Sequence, residues 1–239
     1  EELTTDIANA SRPIKVAKDP ATPDETEKCV ANNREPLGFR VGTDGLAIVV
    51  NPANDFATDL TKDEVTILFS TAVNWSDVRA DFPAEPIVRY IPGTDSGTFD
   101  YFIEINFEKD SAPILAASSL NQSESDNVLV EGVKNNQYAV GFFGYAYYEA
   151  NASDLKVVAV DGVVPNFETV EAATYYMARP LFIYSTAAIM QEKPQVAGFI
   201  NYFLTNVDSV ISEVGYFPAS EFALNRARAL FIAASTPAM

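Results

Sequence analysis

Short apolar runs that are typical of buried strands alternate along this chain with segments that carry helix start signals. Residues 46–50 form a continuous apolar run rich in β-branched side chains, and the turn residues Asn51 and Pro52 end it. Thr61 and Glu64 have the spacing of a capping box ahead of an apolar helical pattern. The same alternation predicts strands at residues 86–90, 138–143, 155–160 and 180–184, and helices at residues 99–107 and 195–204. Because strands alternate with helices, we expect an α/β fold with mainly parallel sheets.

Chain length and composition allow one large domain or two lobes with substantial cores. The chain has 239 residues, of which 48% are hydrophobic, and it shows no internal repeat. Residues 13–36 contain prolines with charges between them, which predicts an irregular connection. No stretch has the roughly 18 consecutive apolar residues of a membrane span. The chain begins at Glu1 without a basic and apolar leader, so we expect an export signal to have been removed or to lie outside this sequence.

The charge and residue content exclude several classes of function. The chain has 16 Lys and Arg residues against 33 Asp and Glu residues, and the net charge of −17 repels nucleic acids and anionic membranes. We therefore expect no nucleic-acid partner, although a single small anion responds more to local N–H groups than to the distant average charge. The chain has no histidine, which removes the commonest general base, the Ser/His and Cys/His dyads and almost every zinc site. We expect no metal site and no cofactor. Cys29 is the single cysteine, and its simplest interpretation is a thiol with no role.

The stretch from residue 89 to residue 102 has the pattern of a strand, a small-residue turn and a helix start. Ser96, Gly97 and Thr98 open an aromatic helix there, so backbone N–H groups and two hydroxyls converge at the positive end of a helix dipole. Asp95 either caps the helix or faces a ligand. The pattern indicates an anion site or, as the plainer alternative, an ordinary capped helix start. It lacks the Gly-Lys-Ser/Thr of a P-loop, so nucleotide binding is not supported.

Six stretches of the chain together carry a resemblance to a known family. One is residues 92–102, which read PGTDSGTFDYF, and the others are residues 6–14, 43–51, 141–148, 179–182 and 215–218. In the same order, these stretches are similar to the PstS family in its SphX-like branch, the extracytoplasmic phosphate receptors of ABC importers, and residues 92–102 resemble the family's phosphate-contacting segment. The resemblance extends from the first residues to about Phe222.

The resemblance implies a two-lobed α/β periplasmic-binding-protein fold with a ligand cleft between the lobes. Lobe one is expected at residues 1–45 plus 178–239, and lobe two at residues 46–177. The implied function is capture of inorganic phosphate and its delivery to the permease of an ABC importer. The protein would act as a monomer in the periplasm or at the cell surface and would break no bond. The implied phosphate-binding residues are Ser11, Arg12 and Asp44 from one lobe and Asp95, Ser96, Gly97 and Thr98 from the other.

Two departures from the family pattern affect these expectations. The chain begins where family members are already within the first lobe, so the family's opening strand and Ser/Thr-rich phosphate loop have no counterpart, and lobe one is expected to be incomplete. Some relatives have a second cysteine in that upstream segment, which would be a partner for Cys29. Pro92 stands where many members have an arginine that holds phosphate. Arg89 lies inside the predicted strand, and Arg12 is the better candidate because SphX-like members have Ser-Arg in this loop.

The resemblance also suggests how phosphate is recognised. The guanidinium of Arg12 offers a planar fork for a tetrahedral oxyanion, and the alternative for Arg12 is a surface ion pair with Asp6 or Asp44. Asp44 or Asp95 is expected to accept the hydrogen that phosphate carries and sulfate lacks, while the other caps a turn.

Three other functions stay open. A phosphoester hydrolase with Ser96 or Asp95 as nucleophile would lack a histidine base and a carboxylate cluster for a metal. A structural or interaction protein would keep the fold without binding an anion. A receptor for another tetrahedral oxyanion, such as sulfate or arsenate, would use the same site. The aromatic residues at 99–102 and 142–148 are interpreted as core packing in preference to a carbohydrate platform.

Overall fold

The computed structural model describes residues 5–16 and 24–236. Glu1 and part of the predicted irregular stretch 13–36 lie outside these residues. The chain divides into two units: unit 1 runs up to Asp44 and resumes at Arg179, and unit 2 runs from Gly45 to Ala178. These divisions lie one residue from the predicted lobe boundaries. That the units are the two lobes of a ligand-binding protein, with a cleft between them, stays a prediction.

The described residues form the following elements. The strands are β1 (Ala8–Ala10), β2 (Leu37–Val50), β3 (Asp59–Leu60), β4 (Val88–Pro92), β5 (Leu120–Ser123), β6 (Ala139–Gly144), β7 (Lys156–Val157), β8 (Ala159–Val160), β9 (Ala178–Ser185) and β10 (Phe217–Pro218). The helices are α1 (Glu25–Val30), α2 (Lys62–Leu68), α3 (Trp75–Val78), α4 (Gly97–Asn106), α5 (Ala112–Leu115), α6 (Asp126–Lys134), α7 (Tyr145–Ala150), α8 (Phe167–Glu171), α9 (Ala187–Glu192), α10 (Pro194–Val210) and α11 (Glu221–Ser235). Within the described part of the chain, no helix is long and apolar enough to cross a membrane.

In unit 1, the helices near the C-terminus pack against a sheet. β9 lies between β1 and β2 in the strand order, with β1 antiparallel to β9 and β10 antiparallel to β2. α10 buries Ile200, Leu204 and Val207, whose spacing of three or four residues puts them on one face of the helix. This face forms one core with Phe39 of β2 and Leu224 of α11. The core thereby holds β2 and β9 in fixed positions within unit 1.

In unit 2, the last residues of β2 are followed in the sheet by β6, β4 and β5. β4 runs parallel to both of its neighbours, with Tyr90 opposite Gly141 of β6 and Pro92 opposite Ser123 of β5. The carboxyl ends of β4 and β5 therefore lie at one edge of the sheet, and α4 and α6 begin shortly after them. β2 is antiparallel to β6 and β7, and β3 and β8 form a separate parallel pair.

The predicted α/β class is confirmed, but the sheet is mixed and not mainly parallel. Among the described pairings, β4 is parallel to its neighbours, whereas β2 is antiparallel to β6, β7 and β10. Ile48 of β2 and Phe142 of β6 are both 0% exposed. A strand that is covered on both faces has a continuous apolar run whatever the direction of its neighbour. The apolar runs therefore predict burial but not strand direction.

The helix start predicted from the capping-box residues is confirmed. Thr61 Oγ1 accepts the Glu64 N–H at 3.2 Å and a Glu64 carboxylate oxygen accepts the Thr61 N–H at 2.8 Å, which is the predicted capping box of α2. The predicted irregular stretch 13–36 is wrong at α1, where Asp24 caps the helix by accepting the Glu27 N–H at 2.8 Å. α6 and α11 also have no counterpart among the predicted elements, and the predicted strand at 155–160 is split into β7 and β8.

The aromatic residues next to the predicted anion segment belong mainly to the core. Phe102 and Phe142 stack with ring centroids 3.8 Å apart. Phe69 makes edge-on contacts with both rings, and all three side chains are fully buried. The interpretation as core packing is confirmed for Phe102 and Phe142, whereas Tyr147 of α7 is 42% exposed.

Candidate functional site

The turn between β4 and α4 brings the predicted anion-contacting residues of unit 2 together. The carbonyl of Gly93 accepts the Ser96 N–H at 3.1 Å, directly after the end of β4. Ser96 has extended backbone angles, and its Oγ accepts the Thr98 N–H at 3.2 Å, so Ser96 is the N-cap of α4. Because α4 is 10 residues long and begins at Gly97, its dipole places partial positive charge at this turn.

The same turn is open to a ligand. Gly97 is exposed, and a Cβ atom built on it would meet nothing within 4 Å. Thr98 is half-buried and Asp95 is exposed. Of the two alternatives for Asp95, the one in which it caps the helix is wrong, because Ser96 occupies the cap position and a helix has one N-cap. The turn is thus both a capped helix start and a place where an anion can approach backbone N–H groups and hydroxyls.

A carboxylate that the sequence patterns do not indicate lies beside this turn. Glu124 follows the last residue of β5, which lies next to the end of β4 in the sheet. Its carboxylate lies close to Gly93, since a Cβ atom built there would be 1.7 Å from a carboxylate oxygen. Burial, followed by the nearby charge of Glu124, raises the pKa of Asp126 at the start of α6. Negative charge next to the N–H groups disfavours a fully ionised anion more than one that still carries a proton.

In unit 1, a buried ion pair joins β2 to β9. Asp44 is 5% exposed, Arg179 Nε donates to its Oδ2 at 2.9 Å, and Arg179 Nη2 lies 2.9 Å from the same oxygen. Arg179 Nη1 donates to Ser11 Oγ at 3.4 Å. Burial raises the pKa of Tyr216, the charge of Asp44 adds to this effect and the charge of Arg179 opposes it. Two of the predicted ligands, Ser11 and Asp44, therefore contact the same guanidinium.

The guanidinium of Arg12 is engaged by Glu25. Nη1 and Nη2 donate to the two oxygens of the Glu25 carboxylate, each at 2.8 Å. The hydrogen bond from Arg12, followed by that from the Lys15 N–H, lowers the pKa of Glu25 to about 2. An ion pair with Asp6 or Asp44 is therefore the wrong alternative for Arg12, since both of those carboxylates pair with other cations. The correct partner lies on α1, a helix that the prolines of this stretch concealed.

Arg89 is a core residue of unit 2. It lies within β4 as expected and is 0% exposed. Nε donates to the Leu68 carbonyl and Nη1 to the Ser118 carbonyl, each at 2.7 Å, and Nη2 donates to the Ala72 carbonyl. Burial lowers its pKa to about 10. Arg89 thus ties together the chain segments behind the turn and points its charge at carbonyl groups.

A cavity of about 660 Å³ adjoins the ion pair within unit 1. Its polar lining is made by Asn9, Ser11, Arg179 and Tyr216. Side chains of β9 and α10 such as Leu181 and Phe203 form its apolar walls. Arg179 is therefore accessible through this cavity, although its partner Asp44 is buried.

The predicted site residues form separate groups within the described part of the chain. Asp95, Ser96, Gly97 and Thr98 lie together in unit 2, Ser11 and Asp44 lie together in unit 1, and Arg12 is turned toward Glu25. Sequence reasoning assigned no role to Arg179, because no local signal links it to Asp44, which lies 135 positions earlier in the chain. Among the described residues, no group of three or more His, Cys, Asp or Glu side chains is arranged to hold a metal ion. Cys29 is a half-buried free thiol.

Comparison with known proteins gives the class to which this chain and its fold belong. The model of the PBP superfamily domain matches residues 2–207. SphX of Synechocystis sp. is 38% identical over 96% of this chain and 68% of its own length, and SphX of Synechococcus elongatus is 38% identical over 89% and 63%. The phosphate-binding protein PstS of Staphylococcus saprophyticus is 30% identical over 89% of this chain and 65% of its own length.

Solved structures agree with this class. The crystal structure of a possible phosphate binding protein from Planctomyces limnophilus has a TM-score of 0.85 and is 36% identical, covering 97% of this chain and 81% of that one. A phosphate transport receptor from Vibrio cholerae, 23% identical with a TM-score of 0.68 over 89% of this chain and 79% of that one, shares the fold. The chain belongs to the PBP superfamily and, within it, to the family of SphX and PstS. It spans about two thirds of the length of these SphX and PstS relatives.

Proposed function

We propose that the chain is an extracytoplasmic solute-binding protein that captures inorganic phosphate and delivers it to the permease of an ABC importer. It acts as a monomer without a cofactor or nucleic acid, and it makes and breaks no covalent bond. The names of its relatives support this proposal, because the PstS proteins are named as phosphate-binding proteins and the Planctomyces limnophilus structure as a possible one.

The turn ahead of α4 is the observation that carries the proposal. A tetrahedral oxyanion accepts several hydrogen bonds at once, and this turn offers backbone N–H groups, two hydroxyls and the positive end of a helix dipole. The open space at Gly97 lets an anion approach the backbone. The candidate phosphate ligands of unit 2 are therefore Ser96, Gly97 and Thr98.

Carboxylates supply the selectivity that we propose. At neutral pH phosphate carries a hydrogen that a carboxylate can accept, whereas sulfate carries none and meets the same carboxylate without a hydrogen bond. Asp44 in unit 1 and Asp95 in unit 2 are the candidate acceptors. Ser11 is a further candidate ligand in unit 1, and Arg12 joins the ligand set when it releases Glu25.

Calorimetric titration of the full chain with phosphate and then sulfate at neutral pH tests the proposal. We expect phosphate-selective binding that weakens about tenfold or more in Thr98→Val, because one hydrogen bond to a charged ligand contributes about 1.5–3 kcal/mol. Thr205→Val on α10 is the matched control, since the Thr205 hydroxyl donates to a backbone carbonyl of its own helix at 2.7 Å, and it should bind normally.

Three results would count against the proposal. A folded chain that gives no heat with phosphate would favour the structural or interaction protein. Equal binding of sulfate would indicate a receptor for a different oxyanion. Unchanged phosphate binding in Thr98→Val would remove the α4 turn from the site.

A further inference from the structure

The structure places Arg179 where it can set the hydrogen-bonding character of two candidate phosphate ligands. Arg179 contacts Asp44 through Nε and Nη2 and donates to Ser11 through Nη1. The Arg179 side chain is 22% exposed and the Asp44 side chain 8% exposed, so solvent screens this ion pair much less than a surface pair.

Arg179 keeps Asp44 in its acceptor form. A carboxylate as deeply buried as Asp44 tends to take up a proton when no cation lies beside it, because burial penalises the charged form. A protonated carboxyl donates a hydrogen bond, whereas an ionised carboxylate only accepts. The two contacts from Arg179 both go to Oδ2, which is one of the two oxygens of the carboxylate, and each oxygen of an ionised carboxylate acts only as an acceptor.

Arg179 also keeps Ser11 in a donor role. A hydroxyl has one hydrogen and two lone pairs, and the Ser11 oxygen accepts the hydrogen bond from Arg179 Nη1. The Ser11 hydrogen is consequently directed away from the guanidinium. One arginine thus contacts a carboxylate that accepts and a hydroxyl that donates, which are the two kinds of partner that the P–OH and P–O⁻ groups of phosphate require.

We propose that Arg179 is a positioning residue for phosphate selectivity, acting through Asp44 and Ser11. This inference rests on the proposed phosphate-binding function and adds a residue to which the sequence patterns assign no role. It predicts that Arg179 controls the ratio of phosphate to sulfate affinity and not only the stability of unit 1.

A double-mutant cycle tests the proposal. Phosphate and sulfate affinities are measured by calorimetry for the wild type, Arg179→Gln, Asp44→Asn and the double variant, each with its melting temperature. We expect Arg179→Gln to weaken phosphate binding about tenfold or more and to bring the phosphate-to-sulfate ratio toward one, because the charged hydrogen bond to Asp44 is lost. In the Asp44→Asn background the same change should alter that ratio less than about twofold, since residues that act as one unit are not additive.

Two further variants separate positioning from folding. Arg179→Lys keeps the charge with a different donor geometry and should recover part of the selectivity lost in Arg179→Gln. Arg228→Gln is the matched control in unit 1, where Arg228 pairs with Asp208 at 3.1 Å and donates to a backbone carbonyl, and its selectivity should equal that of the wild type. If Arg179→Gln does not fold, Arg179→Lys and the charge-neutral double variant give the same comparison.

The outcomes distinguish this inference from the proposed function. A wild type that binds phosphate selectively, together with an Arg179→Gln variant or a charge-neutral double variant that keeps the full phosphate-to-sulfate ratio, overturns the role of Arg179 alone. The role of Arg179 is also overturned if Arg179→Gln loses phosphate and sulfate binding equally and this loss persists in the Asp44→Asn background. A folded wild type that binds no phosphate overturns the proposed function and this inference with it.

Discussion

Replacing Glu25 with glutamine is expected to strengthen phosphate binding by about two- to fivefold. Both oxygens of the Glu25 carboxylate occupy the fork of Arg12 at 2.8 Å. A carboxylate and a phosphate present two oxygens to a guanidinium in the same way, so a phosphate that binds Arg12 must first displace Glu25. The change removes this internal competitor and keeps the length of the side chain.

Solvent exposure sets the size of this effect. The side chains of Arg12 and Glu25 are 49% and 31% exposed, so water and salt weaken their attraction. Exposed ion pairs of this kind shift an equilibrium by about fivefold at most, which is the upper limit of the expected gain. Because the pKa of Glu25 is about 2, its carboxylate is ionised at every pH at which phosphate binding is measured. The gain should therefore be the same at about pH 6 and at about pH 8.

Calorimetric titration with phosphate measures the effect in Glu25→Gln, Arg12→Ala and the double variant. Glu27→Gln, in the same turn of α1, is the matched control and should bind like the wild type. Weaker binding in Glu25→Gln would refute the reasoning, because it would mean that Glu25 holds Arg12 in place for the ligand. A gain that persists in the Arg12→Ala background would refute it as well, because the competition would then not involve Arg12.

Two further predictions concern stability. Phe142→Ala removes a fully buried ring of unit 2 and should lower the free energy of unfolding by about 3–5 kcal/mol, whereas Phe222→Ala, at a ring that is 78% exposed, should lower it by less than about 0.5 kcal/mol. Urea unfolding measures both, and equal losses would contradict the core assignment. A hydrogen bond from Arg79 lowers the pKa of Glu64 below its ordinary 4.5, so its stabilising contribution is present above about pH 4.5 and is lost as pH falls through the lower pKa of the folded state. Glu64→Gln should therefore make stability less dependent on pH below about 4.5, and acid-unfolding curves identical to those of the wild type would argue against this role.

The parts of the fold and site that sequence alone predicted are those whose signals lie within a few residues. The capping box at Thr61 and the helix start at Ser96 are local, because the donor and the acceptor lie two or three residues apart. The contact between Arg179 and Asp44 spans 135 residues and depends on where β2 and β9 lie in the sheet. No periodicity within either strand contains that information.

The direction of the strands was beyond prediction for a related reason. A run such as residues 46–50 is apolar at every position because it is covered on both faces, and it pairs antiparallel with β6 as readily as it would pair parallel. The partner of Arg12 was concealed by sequence context, since prolines and charges between residues 13 and 36 resemble a loop, although α1 lies within them. Propensity describes each residue separately, whereas these features depend on which residues meet.

Unit 2 is one uninterrupted stretch of chain, and its two ends meet. The Leu46 N–H donates to the Met177 carbonyl at 3.0 Å, close to both ends of the unit. The residues that flank the stretch, Asp44 and Arg179, also contact each other at 2.9 Å. In genetic terms, unit 2 has the layout of a cassette that can be cut out or exchanged at two neighbouring points. A short linker between residues 44 and 179 would close unit 1 again, because the ion pair already holds the cut ends together.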